Sequence, residues 1–349
     1  PNDSNVIPVV KEVINMNLDK NLSMLETTSI QEGIVATFNY DSDLNYDINI
    51  KNMEESGAPP FNKVSPAEAR IMYDQGSELV RGDPPEPHSI ENIDIPGKDG
   101  KIAAWAYRPS ESKNLPTLVF FHGGGFVIGS LKSHDAVCRS LCIEAQCLVI
   151  SIDYRLAPEN KYPAALDDAW TATTWIANNI ESLGGDANHL AVAGDSAGGC
   201  LAAAVSLLAK ESGSPDICKQ ILVYPCTDMS ARFDSHLEFG DGYRLTSELL
   251  EWFYNHYFSE KDDIMHWKAS PLNAQDFTQL PPTFIISAGF DPLQDEAKAY
   301  AEKLKNAGVQ VKLSHYEGMM HGFITMPGVI DKAKEALNEC AEELKNVFY

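Results

Sequence analysis

Residues 194–198 read Gly-Asp-Ser-Ala-Gly, between the apolar run Leu190–Ala193 and the alanine-rich stretch that follows. A G-x-S-x-G pattern between a short strand and a helix suits a nucleophilic serine. The turn is so tight that side chains two places before or after Ser196 would clash, so Gly194 and Gly198 clear the way for an exposed hydroxyl. The same turn aims the Ala197 N–H at the place where an oxyanion would form. Asp195 adjoins the serine, but chain order argues against it as the orienting acid, and a structural hydrogen bond is its expected role.

A serine at neutral pH is a poor nucleophile without a base. Turns of this kind use the order serine, acid, histidine, which leaves His236, His256, His266, His315 and His321. The first three fall in an aromatic insertion. His315 shares strand parity with Val309, Val311 and Leu313 and reads as a packed strand residue. His321, in Glu-Gly-Met-Met-His-Gly-Phe, falls on a loop just past the C-terminal end of that strand, where active sites of open sheets lie, and is the expected base. An acid must orient the imidazole. Asp291 stands just past the apolar strand Thr283–Ala288 and is preferred; Asp295 and Glu296, further on, read as charges at a helix N-terminus.

Oxyanion donors should also lie upstream. His122-Gly123-Gly124-Gly125 follows the buried run Thr117–Phe121, and successive glycines there present bare N–H groups to a ligand. The spacing is neither G-x-G-x-x-G nor a phosphate loop, so nucleotide binding is disfavoured. No H-E-x-x-H and no Cys/His cluster is present, and no metal or other cofactor is expected.

The elements that position these residues follow from periodicity. From about residue 89 the chain alternates strand-like and helix-like segments, the pattern of a mostly parallel sheet covered on both faces. Strands are expected at 89–95, 102–108, 117–122, 148–154, 189–193, 220–224, 283–288 and 309–316. The first two form a hairpin. Helices are expected near 133–145, 164–180, 197–211, 294–307 and 329–346. Two regions break the alternation. Residues 1–88 hold one helix opened by Ser65, Pro66 and Glu68, a capping box. Residues 229–269 are rich in aromatics and could form a lid with it; the plainer alternative is that each covers a sheet edge.

The totals narrow the partners. The 349 residues carry 50 acidic and 27 basic side chains, a net charge of −23, which argues against nucleic acid and anionic membranes and disfavours anionic substrates. No apolar stretch is long enough to span a bilayer. Seven cysteines without a paired pattern suggest reduced thiols and a reducing compartment, the cytoplasm. The chain opens at Pro1 rather than methionine, as expected of a trimmed or processed chain.

With these residues in place, the chain resembles the hormone-sensitive lipase family of α/β-hydrolase carboxylesterases. The resemblance runs through HGGGF (122–126), DYRLAPE (153–159), YPAALDDA (162–169), GDSAGG (194–199), DPLQDE (291–296) and HGF (321–323), from about residue 45 to the end. It implies an eight-stranded α/β-hydrolase fold with a helical cap. Ser196 would be nucleophile, His321 base and acid, and Asp291 the orienting acid. Gly124, Gly125 and Ala197 would form the oxyanion hole, with His122, Gly123 and Asp195 as motif support. DYRLAPE would brace the glycine loop, and the GDSAG form implies that subgroup.

The implied organisation is an N-terminal extension at 1–44, cap parts at 45–85 and 229–269, and a catalytic domain at 86–228 and 270–349. The expected substrate is a small ester with a short to medium acyl chain. The alternatives are a non-catalytic ligand receptor on the same fold, or an amidase or lactonase using the same triad. Residues 1–44 lie outside the resemblance, which says nothing about them. Two readings compete, a disordered leader or an arm packed on the cap or on a second copy of the chain. Val9, Val10, Val13, Ile14 and Met16 need cover, which favours the arm, and an arm on a second copy would give a homodimer.

Overall fold

The computed structural model describes residues 59–349, so the reading of residues 1–44 as an arm lies outside the described residues. Eight strands form one sheet in the order β1-β2-β4-β3-β5-β6-β7-β8. They are β1 (Ser89–Gly97), β2 (Gly100–Arg108), β3 (Leu115–Phe121), β4 (Leu148–Asp153), β5 (Gly185–Asp195), β6 (Lys219–Val223), β7 (Thr283–Phe290) and β8 (Val311–Met320). β1 and β2 pair as an antiparallel hairpin with Gly97 opposite Gly100, and β2 runs antiparallel to β4. Every pairing from β4 through β8 is parallel.

The helices are α1 (Pro66–Val80), α2 (Asp135–Ala145), α3 (Ala164–Asn179), α4 (Ala197–Ser212), α5 (Asp234–Glu238), α6 (Ser247–Tyr257), α7 (Gln294–Asn306) and α8 (Asp331–Phe348). The central strands β3 and β6 are buried throughout, which is why they read as unbroken apolar runs. Their side chains alternate between two cores. Val119, Phe121, Val192, Leu222 and Ile285 share one with buried residues of α3, α4 and α7. Leu118, Phe120, Ile221, Val223, Phe284 and Ile286 share the other with α2 and α8. Helices therefore cover both faces, and the C-terminal ends of β3, β5, β6, β7 and β8 all open toward one edge.

The capping box on α1 forms as the sequence demands: the Glu68 N–H donates to Ser65 Oγ at 3.3 Å and the Ser65 N–H to Glu68 Oε2 at 3.0 Å. Two expectations are corrected. β8 runs to Met320 rather than ending at residue 316, with His321 in the turn immediately past it. His315 is exposed rather than packed. Its parity with Val311 and Leu313 holds, but β8 is the outermost strand and that face is only half covered; the His315 ring bonds Ser287 Oγ at 2.8 Å instead.

Candidate active site

Ser196 sits between β5 and α4 with φ 54° and ψ −119°, a positive-φ conformation that a side-chain-bearing residue adopts only where its surroundings impose it. Two glycines allow the turn. A Cβ on Gly194 would run into the Gly198 carbonyl, and one on Gly198 into the Phe121 carbonyl. Hydrogen bonds then fix the bend: the Ser196 N–H donates to Val223 O at 2.9 Å, and Ser196 O accepts from the Cys200 and Cys226 N–H groups at 3.1 and 3.2 Å.

The structure brings three of the expected residues into one chain of hydrogen bonds. His321 Nε2 lies 2.8 Å from Ser196 Oγ, and His321 Nδ1 lies 2.7 Å from Asp291 Oδ2. Asp291 is fully buried at the end of β7, and its Oδ1 accepts the Leu293 N–H at 2.9 Å. That bond leaves Oδ2 to the imidazole. The Tyr224 ring lies against His321 with centroids 4.6 Å apart, filling the space beside it.

Gly123, Gly124 and Gly125 follow β3. The Gly124 carbonyl accepts from Val127 and Ile128 at 3.1 and 2.9 Å, curling the chain so that the Gly124 and Gly125 N–H groups bond nothing among the described residues. The Ala197 N–H is at the first helical position of α4, where no helical acceptor exists. The Phe253 ring of α6 occupies the space a Cβ on Gly125 would need, so the aromatic insertion lies directly on the glycine loop.

Beneath the loop is a buried polar network that the sequence showed only in part. Asp195 Oδ1 accepts the Gly123 N–H at 2.9 Å and stands 3.1 Å from His134 Nε2. Asp195 thus makes the structural hydrogen bond expected of it. Burial works to raise its pKa, but His134, His122 and the Gly123 N–H outweigh burial and hold it below the usual carboxylate range. His122 goes the other way: burial, reinforced by His134, pushes it down to about 3, so it is neutral. Its Nδ1 lies 2.8 Å from the Gly123 carbonyl, an acceptor, so Nδ1 carries the proton.

The DYRLAPE segment braces the same loop. Tyr154 OH donates to His122 O at 2.6 Å, and the Ala157 N–H to Phe126 O at 2.9 Å. Arg155 is clamped by both Asp168 carboxylate oxygens at 2.8 Å, and Arg70 on α1 donates to Val127 O and Ala157 O at 2.7 Å. His134, 61 residues before Asp195, carried no local sequence signal of this role.

Asp295 and Glu296 do stand in the first turn of α7, but their work is tertiary. Asp295 accepts the Ser235 N–H at 3.0 Å, and Ser235 Oγ donates to Pro292 O at 2.6 Å, tying α5 to the segment after Asp291. Glu296 is fully buried, and its Oε1 accepts the N–H groups of Thr227 and Asp228. Burial raises its pKa well above the carboxylate range, and those N–H groups offset that only in part. The other candidate histidines lie elsewhere: His236 stands 3.7 Å from Glu296, and His256 bonds the Trp252 carbonyl at 2.8 Å. Among the described residues no group of His, Cys, Asp and Glu could hold a metal, and no helix is long and apolar enough to cross a membrane.

A family model described as alpha/beta hydrolase fold matches residues 118–325. Esterase LipI of Mycobacterium tuberculosis is 37% identical over 294 residues, covering 80% of this chain and 91% of its own. The chain belongs to the hormone-sensitive-lipase-type α/β-hydrolases. Another member, ethyl acetate hydrolase of Pseudomonas putida, is 37% identical over 293 residues, covering 82% of this chain and 92% of its own. The fold agrees with solved members. The ester hydrolase EH1AB1 from the metagenome of Lake Arreo superposes with a TM-score of 0.84 at 39% identity, over 86% of this chain and 98% of that one. A thermostable esterase from Pseudomonas putida superposes at 0.85 with 33% identity, over 90% and 99%. A second family model, for the C-terminal part of fatty-acid-kinase-like proteins, matches residues 1–74, most of which lie outside the described residues.

Proposed function

We propose that the protein hydrolyses carboxylic esters with short to medium acyl chains through an acyl-enzyme on Ser196. The observation that carries this reading is the continuous relay from Ser196 Oγ through His321 to Asp291, at 2.8 and 2.7 Å. His321 Nε2 accepts the serine proton as Oγ attacks the ester carbonyl, while Nδ1–H donates to Asp291 and keeps the ring in that tautomer. The oxyanion develops against the N–H groups of Gly124, Gly125 and Ala197, each worth on the order of 3 kcal/mol at the transition state. His321 then protonates the departing alkoxide, and water repeats the cycle to release the acid.

Asp195 and His134 serve as positioning residues in this reading, because they hold the Gly123 N–H and so the glycine loop that follows. The GDSAG subgroup fits, since that aspartate is the one bonded to the loop. The aromatic segment 229–269 and the helix α1 form the cap, with Phe253 over the glycine loop shaping the acyl pocket. Free thiols, six of the seven buried, support residence in a reducing compartment such as the cytoplasm. The net charge of −23 supports a small-molecule partner over nucleic acid.

Receptor function on the same fold is disfavoured by the intact relay, and family relatives named as esterases favour esters over amides or lactones. The test is hydrolysis of p-nitrophenyl acetate, butyrate and longer esters by the protein and by Ser196→Ala. Turnover that falls with acyl length and vanishes in the variant is expected; equal rates in both proteins would end the assignment.

A further inference from the structure

The sequence contains seven arginines, all among the described residues. Arg70, Arg81, Arg108, Arg139 and Arg155 each pair with a carboxylate, and Arg232 is exposed to water. Arg244 is different: it is half-buried, and no carboxylate lies within ion-pair distance among the described residues. In a chain with a net charge of −23, a half-buried guanidinium with no carboxylate beside it is conspicuous.

Its place gives it a use. Arg244 lies in the loop between α5 and α6, and Nη1 reaches the Gly322 carbonyl, immediately after His321, at 3.4 Å and Met326 Sδ at 3.7 Å. Both contacts are long, so a guanidinium with five N–H donors keeps most of them unused. Gly322 has no side chain to stand in the way; a Cβ there would come within 2.8 Å of Nη1. The charge of Arg244 also acts on Tyr73 and Tyr224. No hydrogen bond from either phenol to another described residue accompanies it: Tyr224 OH is buried without a partner, beside His321. A cation and the unfilled Tyr224 hydroxyl thus lie on the histidine side of the site, while Tyr73 packs against His134 beneath the glycine loop.

We propose that Arg244 binds a carboxylate carried by the ester substrate, a proposal that rests on the esterase reading above. The overall negative field opposes the approach of such a substrate, so its acceptance depends on this one local charge. A guanidinium–carboxylate pair can be bidentate and charge-assisted, which makes it selective as well as strong.

The test uses two matched pairs of esters with the full chain. In one pair the carboxylate is on the acyl part: mono-p-nitrophenyl succinate against p-nitrophenyl butyrate. In the other it is on the alcohol part: 4-(butyryloxy)benzoate against its methyl ester. For at least one pair, Arg244→Gln should lower kcat/KM on the carboxylated member by about tenfold or more, through KM, and change the neutral member by less than about twofold. Arg244→Lys should retain part of the preference, and raising the salt should erode it. The pair that responds identifies which half of the ester carries the anion. Equal losses on both members of both pairs would show that Arg244 only pins the His321 loop and would overturn the proposal. So would a wild-type protein that turns over the neutral esters but neither carboxylated one. Failure to hydrolyse any of the four would instead overturn the esterase reading itself.

Discussion

The serine turn and the aromatic insertion meet where Phe253 lies against Gly125, yet they are held by different physics. The turn is fixed by backbone. Its glycines have carbonyls where side chains would go, and its polar groups are spent on β6 and the start of α4. The insertion is held by rings: Tyr257 stacks on Phe126 at 3.9 Å, Trp252 lies 4.5 Å from His256, and Tyr243 stacks on Phe290 at 5.1 Å. Its polar anchors are scattered: Ser235 on the segment after Asp291, the Tyr162 N–H and Lys161 Nζ on the Tyr257 and Phe258 carbonyls, and the exposed contacts of Asn62 and Lys63 with Glu248. Backbone sterics admit one geometry, whereas ring packing tolerates shifts of size and angle. On the proposed function, the chemistry would rest on the part that cannot adjust, and the choice of substrate on the part that can.

That contrast predicts a gradient of sensitivity. Gly198→Ala drives a methyl into the Phe121 carbonyl, so activity should fall by on the order of 10³-fold or more, with a clear loss of stability. Ester hydrolysis and the urea midpoint measure both, and a near-normal variant would show the turn to be more pliable than its geometry implies. Asp195→Asn leaves the serine relay intact but sets an amide where the Gly123 N–H and His134 both need an acceptor. The expected loss is about 10- to 100-fold in kcat with little change in KM. A loss confined to KM would break the assignment of Asp195 to the glycine loop.

His122 sharpens the comparison through pH. Its folded pKa lies near 3, below the 6.5 of an unburied histidine, so the unfolded chain binds the extra proton first. Stability is therefore full above 6.5 and falls as the pH drops from 6.5 toward 3. Denaturant titrations across that window should give a shallower slope for His122→Gln than for the parent. Because His122 is neutral throughout the working range, the pH profile of ester hydrolysis should keep its shape in the same variant.

In the aromatic insertion the effects should be smaller and of another kind. Phe253→Leu should redistribute kcat/KM among acyl chain lengths within about tenfold while leaving the best kcat nearly unchanged. Smallest of all, Glu248→Gln breaks contacts that are mostly solvated and should leave melting temperature and rate within error. A large effect there would mean that the insertion is held by charge rather than by rings.

The same contrast explains what the sequence made legible. The turn at Ser196 could be read residue by residue because its requirements are local: glycines two places either side, a strand before, a helix after. All eight strands could be read from apolar periodicity, and β8 was cut short only where Glu317, Gly318 and two methionines interrupt that period. His315 was misplaced because parity tells which face a residue takes, not whether an outermost strand has that face covered. His134, Glu296 and Arg244 were out of reach for another reason. Each acquires its role from a partner many residues away, and a buried carboxylate at a helix start reads the same as a solvated one until its neighbours are known.

The central claim is that one hydroxyl, set on a forced turn and linked to His321, is the attacking group. Treating the protein with a p-nitrophenyl alkylphosphonate and mapping the adduct by peptide mass spectrometry tests it directly. The account predicts one phosphonyl group per chain, on the peptide bearing Ser196, formed in step with loss of activity and absent from His321→Ala over the same time. An adduct on another residue, or full modification of Ser196 with ester hydrolysis undiminished, would contradict it.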